Sequence, residues 1–108
     1  MPYSYEYAGG RPNCDRTIVW GYVVDGSGLA EANVQMRVGN DQGWRADTWT
    51  NADGFYAFEF GGGAMAGMWF VRVFKGGVAR SEQFWWRTNA GCDGPYSLQE
   101  VRIDWKHR

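Results

Sequence analysis

The chain has 108 residues, with 11 basic and 12 acidic side chains and a formal charge of -1. That length supports one hydrophobic core and one domain. The charge balance speaks against nucleic acid as a main partner, because phosphate binding needs clustered Lys and Arg. The longest basic cluster is the terminal Lys106-His107-Arg108. No apolar run approaches the roughly 20 residues of a membrane-spanning helix, so no membrane insertion is expected. No leader-like stretch opens the chain, and the sequence leaves open whether Met1 is the native start. The 16 Gly suit tight turns between short strands. The 7 Trp, 6 Tyr and 6 Phe exceed what one small core holds, so some rings are expected to face outward.

Taken in chain order, the chain opens with an arm over residues 1–13. There Tyr3, Tyr5 and Tyr7 alternate with Ser4 and Glu6 and end at Gly9-Gly10. The alternation is strand-like and suits addition to a sheet edge, either its own or, as the favoured reading, that of another copy. The main domain is expected over residues 14–108. Thr17 to Val24 alternates, with Val19, Gly21 and Val23 on one face and Trp20, Tyr22 and Val24 on the other. After an Asp25-Gly26-Ser27-Gly28 turn, Val34, Met36 and Val38 point inward along the next strand. Trp44 to Thr50 and Phe55 to Phe60 flank the Asn51-Ala52-Asp53-Gly54 turn. Met68 to Phe74, Ser81 to Thr88 and Gln99 to Trp105 complete the set. Leu98, Val101 and Trp105 also fit one face of a short helix, but Val101 and Ile103 are β-branched and favour a strand. The expected fold is therefore an all-β, seven-stranded antiparallel Ig-like or transthyretin-like sandwich.

Several of these pieces are quite specific. Gly21-Tyr22-Val23-Val24-Asp25 precedes a Gly turn, and Ala32-Asn33-Val34-Gln35-Met36 follows it. Then come Thr50-Asn51-Ala52-Asp53-Gly54-Phe55-Tyr56-Ala57-Phe58 and Gly67-Met68-Trp69-Phe70-Val71-Arg72-Val73. In this order they resemble the carboxypeptidase regulatory-like domains, small transthyretin-like (prealbumin-like) β-sandwiches of secreted proteins. Leu29-Ala30 stands where that family usually has a Pro after the first turn. The resemblance implies an extracellular or cell-surface setting and a structural Asp-Gly turn, with no catalytic residues to carry over.

Cys14 precedes the first main strand and Cys92 the last, and first and last strands often neighbour in sandwiches. A disulfide between them is expected, which places the chain in an oxidising compartment. Two Cys and one His fall short of a zinc site. His107 is the single histidine and is nearly terminal, which disfavours a Ser-His-Asp arrangement and the multi-histidine hydrolases and dioxygenases of similar fold. Asn51, Asp53 and Asp25 could gather a calcium ion, but Asx side chains close their own turns. Asp25, Asp41 and Asp53 are explained by turns too, so neither calcium nor paired-carboxylate chemistry is expected. Lys75 and Lys106 are the only lysines and neither lies on the first strand, against an internal isopeptide bond. No enzyme activity and no cofactor are expected. By strand parity the outward rings form an interaction surface of Tyr3, Tyr5, Tyr7, Trp20, Tyr22, Phe55, Phe70, Phe74 and Trp85. The expected function is a structural or adhesive module that binds protein, itself included, in a polymer. The alternative is a carbohydrate-binding module using Trp20, Trp44, Trp49 or Trp85 as sugar platforms.

Overall fold

The computed structural model describes residues 1–92 and 97–108. Among the described residues nine strands run in chain order: β1 (Tyr3–Arg11), β2 (Thr17–Val24), β3 (Gln35–Asn40), β4 (Arg45–Trp49), β5 (Phe55–Gly61), β6 (Gly67–Lys75), β7 (Val78–Ala79), β8 (Phe84–Thr88) and β9 (Glu100–His107). They form two sheets, one of four strands in the order β1-β9-β2-β5 and one of five, β4-β3-β6-β7 with β8 also on β6. The expected count of seven is thus corrected to nine. The two additions are the arm, which becomes β1, and the two-residue β7 between Gly77 and Arg80. So short a strand leaves no alternation to read. The antiparallel expectation also needs correction, because β2 runs parallel to β9, from Ile18 opposite Glu100 to Val24 opposite Lys106. The C-terminal segment is a strand and not a helix.

The core lies between the sheets and follows the period-2 pattern. Val19 and Val23 of β2, Val101, Ile103 and Trp105 of β9 and Tyr56 of β5 face Met36, Val38, Val71, Val73, Trp69 and Trp86. Two of its polar atoms satisfy each other, whereas Trp86 Nε1 is buried with no hydrogen-bond partner among the described residues. The Tyr56 hydroxyl donates to the Ile103 carbonyl at 2.6 Å and accepts from Trp105 Nε1 at 3.1 Å. Burial pushes the Tyr56 phenol well above its ordinary pKa, so it stays neutral. Gly21 is required by close approach, since a Cβ there would overlap the Ile103 carbonyl oxygen. At this point the β2–β9 pairing skips, and the Asp104 carboxylate accepts from the Tyr22 amide at 3.0 Å in its place. That side chain therefore sits on the outer face, beside the rings of β2.

The parallel pairing of β2 and β9 has a second consequence. Segments leading into two parallel neighbours arrive at the same end of the sheet. Cys14 and Cys92 lie on those segments and form a disulfide, with Cα atoms 4.8 Å apart across a separation of 78 residues.

Candidate interaction surfaces

Three aromatic side chains cluster on the outer face of the four-stranded sheet. Trp20 and Tyr22 alternate with core residues on β2, and the register sets Tyr22 opposite Phe55 of β5. Their ring centroids lie 5.5 Å apart for Tyr22–Phe55, 6.2 Å for Trp20–Phe55 and 6.3 Å for Trp20–Tyr22. Such edge and tilted contacts let the rings support one another without a layer above them. The neighbouring strand β9 adds charge in matched pairs. Arg102 lies over both Trp20 and Tyr22, at 5.1 and 5.3 Å from the ring centres, and pairs with Asp104 at 3.0 Å. Glu100 accepts from Trp20 Nε1 at 3.2 Å and from Asn13 at 3.1 Å, and pairs with Arg11 at 3.0 Å. Burial pushes the Glu100 carboxyl up, but the hydrogen bonds from Asn13, Arg11 and Trp20 outweigh it and hold it below its ordinary value. A cleft of about 320 Å³ opens between Trp20 and the Ala8–Arg11 stretch of the arm. It arises where the β1–β9 register shifts between Tyr7 and Gly9.

The outer face of the five-stranded sheet differs. Phe70 points away from the core as parity requires, yet it is only 1% exposed. This corrects its place in the expected surface. Gly39 lies opposite it on β3 and Trp85 opposite it on β8, so the ring settles over a strand that has no side chain there. Trp85 covers one flank at 4.9 Å and the Arg45 guanidinium lies 4.9 Å from the ring centre. Phe74 is half-buried beneath Arg37, whose Cζ is 3.9 Å from the ring centre. Arg37 in turn holds Asp47 with two hydrogen bonds, at 2.8 and 3.1 Å. Of the adjacent pair on β8, Trp86 enters the core and Trp85 stays 37% exposed. Trp49 on β4 is more exposed, at 56%. Trp44 is also exposed, packing on Phe58 and Phe60 at 5.8 and 5.9 Å.

The arm pairs with β9 of its own chain, from Tyr3 opposite His107 to Arg11 opposite Glu100. This is the intramolecular partner, where addition to another copy was expected. Tyr3 is 8% exposed and so leaves the expected surface as well. Its ring stacks on His107 at 4.1 Å, its hydroxyl donates to Glu31, and its amide donates to the Arg80 carbonyl. Burial and the Glu31 carboxylate together raise the Tyr3 phenol well above its ordinary pKa. Tyr5 and Tyr7 stay partly exposed and pack on Phe84, at 5.3 and 5.8 Å. They close one side of the sandwich and lie apart from the outer-face cluster.

Arg102, Glu100 and Asp104 were not singled out in the sequence. The signal was present, since alternation along β9 puts them on the face opposite Val101, Ile103 and Trp105. What the pattern lacked was the parallel register that sets Arg102 opposite Trp20 of β2.

These features define a disulfide-stabilised β-sandwich with aromatic clusters on its surface. No family model matches the chain, and no curated protein matches it. The fold is similar to that of a C-terminal fragment of the pilus adhesin SpaC from Lactobacillus rhamnosus GG, with a TM-score of 0.50 and 8% identity, covering 86% of this chain and 45% of that one. 3-Chlorocatechol 1,2-dioxygenase from Rhodococcus opacus 1CP gives a TM-score of 0.49 at 11% identity, over 90% of this chain and 62% of that one. This chain spans less than two thirds of either structure. At such identity the likeness to the adhesin fragment is one of fold, an all-β sandwich of Ig-like kind. The carboxypeptidase regulatory-like resemblance rests on its motif residues alone.

Proposed function

We propose that the chain is a non-catalytic module of an extracellular or cell-surface protein, and that it self-associates through the outer face of its four-stranded sheet. The observation that carries this reading is the Trp20, Tyr22 and Phe55 cluster, three rings in mutual contact that face away from the core. A second copy is the occupant the charges favour. Arg102–Asp104 and Arg11–Glu100 are already matched around the rings, which lowers like-charge repulsion when two copies of this face meet. A two-fold pairing of one patch with itself is the commonest way such a surface closes. The molecule measures 38 × 27 × 20 Å, so a broad face offers the roughly 800 Å² per partner of a standard interface.

The extracellular setting is supported by the Cys14–Cys92 disulfide, a bond that persists in oxidising compartments. The non-catalytic reading is supported by the state of the single histidine. His107 Nδ1 meets Glu31 Oε2 at 2.9 Å and its ring is stacked on Tyr3, an arrangement that fastens the arm. Sedimentation equilibrium of the chain against a Tyr22→Asp variant tests the self-association.

A further inference from the structure

The outer face of the five-stranded sheet has a charge imbalance that nothing above uses. Its outward strand residues include Arg37 on β3, Arg45 on β4, Arg72 on β6 and Arg87 on β8. Asp47 is the one carboxylate among them, and Arg37 takes both of its oxygens. Arg37 and Arg72 stand directly opposite each other on paired strands, a placement that destabilises like charges. Arg72 donates one nitrogen to the Ser81 carbonyl, while its Nε is buried with no hydrogen-bond partner. Among the described residues Arg45 donates to the Asn40 and Trp44 carbonyls and to no carboxylate. Arg87 is exposed and has neither a hydrogen bond nor an ion pair among the described residues. Among the described residues three cations are therefore left without an anion, on one face of a chain whose formal charge is -1.

The aromatic groups on the same face are placed between these cations. Trp85 lies two residues before Arg87 on β8, on the same face, and packs against Phe70 beneath Arg45. Trp49 is exposed at the far corner, in the cross-strand row of Gln35 and Phe74. By strand spacing the two Trp stand roughly 20 Å apart across the sheet. Both lie on strands of the same sheet. Guanidinium forks match carboxylates in geometry as well as charge.

We propose that this face binds an acidic polysaccharide, with Arg45, Arg72 and Arg87 taking uronate carboxylates and Trp85 and Trp49 stacking on the apolar faces of the sugar rings. Each part of the face finds a counterpart in such a polymer. It brings anions at regular spacing for the unmatched cations and sugar rings with apolar C–H faces for the indoles. The disulfide, which marks an oxidising compartment, favours a polysaccharide over single-stranded nucleic acid, the other polymer that stacks on aromatic side chains beside Arg. The proposal does not rest on self-association, which uses the opposite sheet.

The test is titration of the ¹⁵N-labelled chain with oligogalacturonate, read by amide shifts and by calorimetry. Parallel titrations use cello-oligosaccharide, polyglutamate and oligothymidylate of similar length. Oligogalacturonate is expected to shift amides of β6 and β8, to weaken with added salt, and to bind more tightly than the other three. Arg87→Gln is expected to weaken it about tenfold, the scale of one charge-assisted contact. Trp85→Ala is expected to do at least as much, while Lys106→Gln on the other sheet leaves affinity unchanged. Amide spectra of the free variants confirm that each is folded. Absence of oligogalacturonate binding, or equal binding by the neutral oligosaccharide, overturns the proposal. Tighter binding of polyglutamate or oligothymidylate overturns it in favour of an acidic protein or a nucleic acid. Unchanged affinity in Arg87→Gln overturns it too.

Discussion

Gly39 lies beneath the Phe70 ring so closely that a Cβ on it would stand 2.5 Å from Phe70 Cε1 and 2.5 Å from the Trp44 carbonyl oxygen. The ring can move, but the carbonyl belongs to the backbone of the β3–β4 turn. Gly39→Ala is therefore expected to destabilise by about 1–3 kcal/mol, the usual cost of overpacking a filled site. Denaturant unfolding measures this, and tryptophan fluorescence should change as Phe70 shifts against Trp85. A Gly39→Ala chain as stable as the parent would mean that Phe70 is held by something other than this close approach.

The relation between these two residues also shows where the sequence stops being readable. Alternation gives the facing of Phe70 correctly, outward from the core. Exposure depends on what stands across the strand, and Gly39, Arg45 and Trp85 are each on different strands. Tyr3 is hidden for the same reason, since Glu31 and His107 come from residues far along the chain. Trp20, Tyr22 and Phe55 were legible because they sit on two strands joined in register, with small or charged neighbours. The choice of β9 as the edge that receives the arm is a long-range event with no local signature.

The Cys14–Cys92 bond closes a loop of 78 residues. In the chain-entropy model a loop of that length is worth about 4–5 kcal/mol, a large share of a small domain's stability. Cys14→Ser/Cys92→Ser is expected to lose that amount in guanidinium unfolding. The parent chain in reducing agent should behave like the double variant. If reduction leaves the midpoint unchanged, the bond is not part of what stabilises the fold.

Tyr3 fastens the arm through its hydroxyl as well as its ring. Tyr3→Phe keeps the stack on His107 but removes the hydrogen bond to Glu31. A hydrogen bond to a charged acceptor contributes about 1.5–3 kcal/mol, and here the lower end is expected because Glu31 keeps its contact with His107. Amide exchange over β1 should quicken by about tenfold, the factor that about 1.4 kcal/mol gives. Exchange in β3 and β6 should be unaffected. A uniform change across the chain would show that the arm unfolds only with the whole domain.

Asp47 supplies a pH dependence whose sign can be assigned. Hydrogen bonds from Arg37 lead in holding its carboxyl below the usual value, with the Arg37 charge adding to them against some burial. A carboxyl depressed in the folded state stabilises above its unfolded pKa, about 3.9 for Asp, and loses that contribution as pH falls through the folded value. Asp47→Asn is expected to flatten the stability profile below about pH 4 and to lower stability at neutral pH. Unfolding midpoints at pH 3 and pH 7 in parent and variant measure both. An equal acid-induced loss in the two chains would assign the acid limb to other carboxylates.

The measurement closest to the central claim is sedimentation equilibrium of the oxidised chain over a wide concentration range, beside Tyr22→Asp. Tyr22 is 37% exposed at the centre of the cluster, with Trp20 and Phe55 on either side. Arg102 beside it is already taken by Asp104, so a carboxylate there would be buried without a full partner in a face-to-face dimer. The parent chain is expected to dimerise with concentration, and Tyr22→Asp to remain at the 12.3 kDa of one chain under the same conditions. A folded parent chain that stays monomeric at millimolar concentration, or a variant that dimerises equally well, would contradict self-association through this face.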